Sequence, residues 1–247
     1  MKRIILTLSL LVATFTAGAW NNLTYATIVA LASKHLTTEA TGATKQALGG
    51  EITAQNIAEK PLFEYHVDAN YTSLRSDKND ALVVAEECVA RLQKNRNDGE
   101  AIILLAKAIA DLHGVANLRI AGHEFSNRDF NISRWNNRDG KMARYKKSGW
   151  RFLWDKYYSF RHRIMTPELY AEDADIYNGP RRGDYMQGNL CAWAADVAKE
   201  CRAVYSRNLT DDHIFRQEEV NEFEFIHDRL MAKAGYRLAA LLNEVLK

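Results

Sequence analysis

The chain has 247 residues, 33 of them basic and 31 acidic, and 47% are hydrophobic. A chain of this length can bury a good core, and one domain suits it better than two. The near-balance of charge argues against a strongly basic nucleic-acid-binding surface and leaves room for a local patch.

The first stretch reads MKRIILTLSLLVATFTAGAW. Lys2 and Arg3 form a basic start, and residues 4–15 an apolar core too short to cross a membrane. Ala17-Gly18-Ala19 is a small-residue cleavage site. We read residues 1–19 as a secretory signal peptide cut after Ala19. Residues 20–247 are then one domain, secreted or periplasmic. Losing Lys2 and Arg3 leaves 31 basic and 31 acidic residues. No later segment is long and apolar enough to span a membrane.

Helical signals dominate residues 20–247. Apolar residues at helical spacing predict a helix over 23–36, and Thr37-Thr38-Glu39 opens another that ends at Gly49-Gly50. Asp80 is placed to cap a helix over 80–92, and Asp98 or Gly99 one that runs to about Gly114. Residues 150–163 are aromatic-rich and helical in pattern. Thr166-Pro167-Glu168 is a helix start with proline in the first turn. Two further helices are expected over 190–206 and 217–246. Strand signals are short, at 63–67 and 130–134. Residues 51–60, 117–148 and 178–188 read as long polar loops. The expectation is an all-α, single-domain, multi-helix protein.

Cys88, Cys191 and Cys201 are the only cysteines. An exported protein permits a disulfide, and an odd count leaves at least one thiol free. Cys191 and Cys201 lie ten residues apart in one expected helix, about 15 Å of rise, too far to bond directly. Either can reach Cys88 on this reading. The spacing matches no zinc motif.

The helix over 99–114 contains an anomaly. Lys107 and Asp111 stand four residues apart inside an apolar run, with His113 just after. Charged side chains are almost never fully buried unless paired or metal-bound. A Lys/Asp pair at this spacing is more often an exposed one, worth about 0.3–0.5 kcal/mol.

The order of features is specific. Trp20 stands at the expected mature N-terminus, followed by ALASKHLTTEA. Then come L-x-K-x-x-x-D-L-H, SNRDFN over 126–131, WRFLWD with Trp154-Asp155, and finally WAADVAKECRAVY and AGYRLAALLNE. Taken together the chain resembles the S1/P1 nuclease family of secreted zinc-dependent single-strand nucleases, and the related zinc phospholipases C. The resemblance covers essentially all of 20–247. It implies that family's helical fold and a cluster of three zinc ions held by an N-terminal tryptophan, histidines and aspartates. Such a cluster activates a water and neutralises a phosphodiester transition state.

Carried over residue by residue, the resemblance retains Trp20, Asp111 and Asp155. Ligand histidines correspond to Tyr25, Lys107 and Arg151. The family's H-Y-V-D corresponds to Tyr65-His66-Val67-Asp68, with the histidine moved by one residue, which in extended chain turns it to the other face. A further metal-binding histidine corresponds to Asn117 or Ile120, whereas His113 matches a histidine that is not a ligand. An aspartate segment is missing between Gly50 and Pro61. No metal position keeps three ligands, so no cofactor is expected, and zinc only if these correspondences are wrong. Lys107 and Arg151 are each four residues before a retained aspartate. The expectation is that ammonium and guanidinium fill cation positions once held by zinc.

The degenerate pocket therefore comprises Trp20, Tyr25, His66, Lys107, Asp111, His113, Asn117, Arg151 and Asp155. Three functions compete. One is a non-catalytic pseudo-nuclease that binds a nucleotide, phosphate or protein partner. The second is an active metal-dependent phosphodiesterase with a reduced site at Trp20, Asp111 and Asp155, with His66 added. The third is a purely structural envelope protein. The basic, aromatic stretch 141–163 is suited to hold single-stranded nucleic acid by phosphate contacts and stacking, and equally suited to be a core helix flanked by a solvated loop.

Overall fold

The computed structural model describes residues 20–75, 79–123, 131–136, 143–144, 148–207, 209–210 and 213–247. Residues 1–19, expected to be a signal peptide, most of SNRDFN, and residues 141–142 and 145–147 of the basic stretch lie outside the described residues.

The fold is largely helical. Helix α1 spans Asn22–Lys34, with the Asn21 carboxamide accepting the Thr24 N–H as N-cap. Helix α2, Thr38–Leu48, is capped by the Thr37 hydroxyl and ends at Gly49, whose φ of 64° is the left-handed cap glycine tolerates without cost. Residues 51–60 are not a plain loop. Thr53 caps a short helix α3, Ala54–Ala58, which buries Ile57. One buried residue in five gives no periodicity to read.

Strand β1, Tyr65–Val67, leads to α4, Ala81–Lys94, where the Asp80 carboxylate caps two N–H groups. Helix α5 is Gly99–Leu112, capped by Asp98 and buried along almost its whole length. A 3-10 turn, Val115–Asn117, joins it to β2, Leu118–Ile120, which pairs with β1 in parallel. The register sets His66 beside Arg119, and Tyr65 and Val67 point into the core.

A second small sheet is built on β3, Asn131–Asn136, flanked by β4, Ala143–Arg144, and β5, Ser148–Gly149, both antiparallel, and by β6, His213–Phe215, in parallel. The expected polar stretch 117–148 thus carries strand pairing. The expected helix over 150–163 is broken into α6, Trp150–Phe152, a π-helical turn, Leu153–Tyr157, and α7, Tyr158–Arg161.

Helix α8, Pro167–Asn178, starts at the Thr166 cap. A 3-10 turn and α9, Arg182–Met186, fill the stretch expected to be loop. Helices α10, Leu190–Tyr205, and α11, Gln217–Val245, complete the described chain.

Helices α1, α4, α5 and α11 pack around a common core, with α8 laid against α1 and α11. The α1–α11 crossing is close: a Cβ on Gly235 would come within 2.9 Å of the Leu31 side chain. Among the described residues no helix is long and apolar enough to cross a membrane. All three cysteines are free, Cys88 and Cys201 buried and Cys191 exposed. The expected option of a disulfide to Cys88 is therefore not taken.

Candidate functional site

The site is assembled on α5. Its apolar residues bury the helix on all sides, so Lys107 and Asp111 are carried in with them; both side chains have 0% exposure. The Lys107 ammonium lies 2.8 Å from one Asp111 oxygen and 3.0 Å from the other. Two further donors complete the carboxylate's surroundings. The Tyr25 hydroxyl donates to Oδ1 at 2.9 Å, and the Phe63 N–H to Oδ2 at 2.9 Å. Lys107 also donates to the Tyr25 oxygen at 2.5 Å and sits 4.8 Å from that ring.

Burial pushes the Asp111 carboxyl above its usual range, opposed by Lys107, the Phe63 amide and Tyr25. Burial and then the Asp111 charge push the Tyr25 phenol well above its ordinary value. Tyr25 therefore stays a neutral phenol, donor to the aspartate and acceptor from the lysine.

Trp20 closes one end. Its indole N–H donates to the Ala110 carbonyl at 2.9 Å, and its ring packs on His227. A side chain at Gly114 would collide with this arrangement, since its Cβ would lie 2.6 Å from Asn117 Nδ2 and 3.1 Å from the Trp20 indole nitrogen.

Asn117 joins the two halves. Its amide nitrogen donates to the Asp111 carbonyl at 2.9 Å, and its oxygen accepts from both terminal nitrogens of Arg151 at 3.2 Å. Asp155 is nearly buried and its main-chain oxygen accepts the Asn21 N–H at 3.0 Å. The Arg151 guanidinium is 3.7 Å from the Asp155 carboxylate and 22% exposed. The two cation–carboxylate pairs are thus unequal despite equal spacing. The π-helical turn Leu153–Tyr157 begins after Arg151 and contains Asp155, and its wider winding turns the second residue away from the first.

Seven expected residues come together: Trp20, Tyr25, Lys107, Asp111, Asn117, Arg151 and Asp155. Two do not, and correct the expected pocket. His66 is half-exposed on β1, its Nδ1 3.3 Å from the buried Asp80 and its Nε2 3.7 Å from Glu64, which also holds Arg119. His113 points toward α11. Its Nδ1 bonds the Ile109 carbonyl at 2.7 Å, and its Nε2 accepts from Arg237 at 2.9 Å. Because a guanidinium only donates, the ring is the Nδ1–H tautomer. Burial and then Arg237 hold its pKa well below the imidazole range.

Sequence reading missed Phe63, whose amide is a main-chain donor, and Arg237, which Asp196 and the Tyr185 carbonyl also hold. Arg237 did leave a signal. It stands with Lys233 inside the apolar run MAKAGYRLAALL much as Lys107 stands in its own.

The reduced metal set of Trp20, Asp111 and Asp155 does not fit a cation. Both Asp111 oxygens already take an ammonium and a further hydrogen-bond donor, and an ammonium sits where an ion would be coordinated. Among the described residues no group of three His, Cys, Asp or Glu side chains is placed to hold a metal. Compared with known proteins, the chain matches no family model and no curated protein.

Proposed function

We propose that this chain is a secreted, non-catalytic relative of the S1/P1 nucleases, with the helical fold of that family and with its metal cluster rebuilt as an internal network of cations and carboxylates. One observation carries the reading: the fully buried Lys107 ammonium, 2.8 Å from Asp111. A buried lysine on a carboxylate supplies the positive charge a divalent ion would otherwise provide, and needs no metal. It also offers no bound water to activate, and no exchangeable coordination position for a phosphodiester oxygen.

The activity left to such a scaffold is binding. Arg151 is the part of the network that reaches solvent, its guanidinium 22% exposed and donating to the Asn117 oxygen. This supports a phosphate-bearing ligand, a nucleotide or single-stranded nucleic acid, held by guanidinium hydrogen bonds.

The test uses the exported protein. Intact mass is expected to place its first residue at Trp20. After equilibration with zinc and dialysis, elemental mass spectrometry should find no retained zinc. Single-stranded DNA should be bound in a salt-dependent manner and left uncut. Hydrolysis, or about one zinc or more per chain, would overturn the reading.

A further inference from the structure

The helix that carries Arg151 and Asp155 ends in a second cluster of titratable groups, joined to the first through His227, on which the Trp20 ring packs. Its last turn, α7, stops at Arg161. The chain then tightens: the His162 N–H bonds the Ser159 carbonyl at 3.0 Å, and the Met165 N–H bonds the His162 carbonyl at 2.8 Å. The His162 imidazole lies flat on Tyr170 of α8, with ring centroids 4.2 Å apart and planes 15° apart. Its Nε2 is 3.6 Å from Glu224 and 3.9 Å from Asp228, two carboxylates one turn apart on α11.

The carboxylates that act on that ring are Glu224, Asp228 and Asp173, and cations and a phenol share them. From its own segment come Arg161, bound to the other Glu224 oxygen at 2.5 Å, and Arg163. From α8 come Tyr170, whose hydroxyl donates to Asp228 at 2.6 Å, and the charge of Asp173. From α11 come Glu224, Asp228 and His227, whose Nδ1 is 2.8 Å from Asp228. One imidazole thus touches three elements at once: the end of the site-bearing helix, the start of α8, and the middle of α11.

We propose that His162 is a pH-operated latch: protonated, it clamps the end of the helix bearing Arg151 and Asp155 onto α11 and α8, and it releases that end as the pH rises. A charged imidazole is attracted to both carboxylates, whereas a neutral one leaves Glu224 to Arg161, and Asp228 to Tyr170 and His227. The geometry agrees with the direction of titration. Glu224 first, then Asp228 and Asp173, raise the His162 pKa above the ordinary 6.5, against burial. A raised imidazole pKa means that the clamp is fully in place below the unfolded value and is lost as pH climbs through the folded one. This latch does not depend on what the site binds.

The experiment is an NMR titration of the full chain, following the His162 ring protons and the Met165 amide, with His162→Gln for assignment. The ring should titrate with a midpoint above 6.5. Exchange of the Met165 amide, corrected for its intrinsic rate, should rise several-fold between about pH 6 and about pH 8, where imidazoles titrate. His162→Gln should abolish that rise. Glu224→Gln, which keeps the shape of the contact, should bring the His162 midpoint down toward 6.5. A His162 midpoint at or below 6.5 in the unmodified chain, or pH-independent exchange at Met165, would overturn the latch whether or not either variant folds.

Discussion

Lys107 and Asp111 meet one helical turn apart with no exposed surface on either side chain. The pair is therefore not the marginal surface contact that its spacing usually signals. Removing one partner strands the other in the core, and breaking a buried pair in this way costs about 3–5 kcal/mol. Lys107→Met is expected to destabilise the fold by that amount in urea unfolding. Lys107→Met with Asp111→Asn should cost less than Lys107→Met alone, because a neutral amide can accept from the Phe63 N–H through its oxygen and donate through its NH2 to the Tyr25 oxygen that Lys107→Met frees. Equal losses in the two variants would mean that the charge of Asp111 is not what Lys107 neutralises.

Asp175 of α8 joins that helix to α1 and α11. It accepts from Lys34 at 2.9 Å, from the Tyr236 hydroxyl at 2.8 Å and from His35 Nε2 at 3.0 Å. Arg182 donates to the other nitrogen of His35, which makes that ring a neutral Nε2–H donor. Burial pushes the Asp175 carboxyl up, but Lys34, Tyr236 and His35 outweigh it and set the pKa at about 2. A depressed carboxylate stabilises the fold above its unfolded pKa, and that contribution fades as pH falls toward the folded value. Solvent reaches this site, so Asp175→Asn is expected to cost about 1 kcal/mol at neutral pH, less than the shift alone implies. Melting curves of the two proteins should converge as pH drops from about 4 to about 2. A constant gap would assign the loss to packing instead.

How much of this was legible depended on where each interaction reaches. Lys107 and Asp111 were visible because they break the apolar pattern of α5 at a spacing that makes side chains neighbours. The long helices were visible from their periodicity and their caps, Thr37, Asp80, Asp98 and Thr166. Helix α3 and the π-helical turn at Asp155 were not, since neither is long enough to impose a period. The inequality of the two pairs follows from that turn and could not be read from spacing. The partner of His113 lies 124 residues away on α11, and no local pattern reports such a contact.

The thiols should react unequally. Cys191 is exposed in α10, whereas Cys88 and Cys201 are buried. Burial raises the Cys88 thiol to about 11 and moves Cys201 in the same direction. Only the thiolate attacks a disulfide reagent. An aromatic disulfide at mildly alkaline pH is expected to titrate one thiol in the folded chain and all three after denaturation. A folded protein that yields one thiol after denaturation without reductant would show a disulfide, contrary to the structure.

The looser pair offers a constructive test of the proposed origin of the site. Asn117, Arg151 and Asp155 converge on one point: Arg151 lies 3.2 Å from the Asn117 oxygen and 3.7 Å from the Asp155 carboxylate. Replacing the two non-acidic members by imidazoles, Asn117→His with Arg151→His, would leave two histidines and one carboxylate around that point. Three protein ligands of this kind, with a water completing the tetrahedron, are what zinc requires. The double variant is expected to retain about one zinc per chain after dialysis, and zinc should raise its Tm, because an ion bound only by the folded state stabilises it by mass action. Arg151→His alone, with two ligands, should retain none. A folded double variant that takes up no zinc would mean that Arg151 does not occupy a former metal position, and would leave Lys107 as the sole substituted cation in the network.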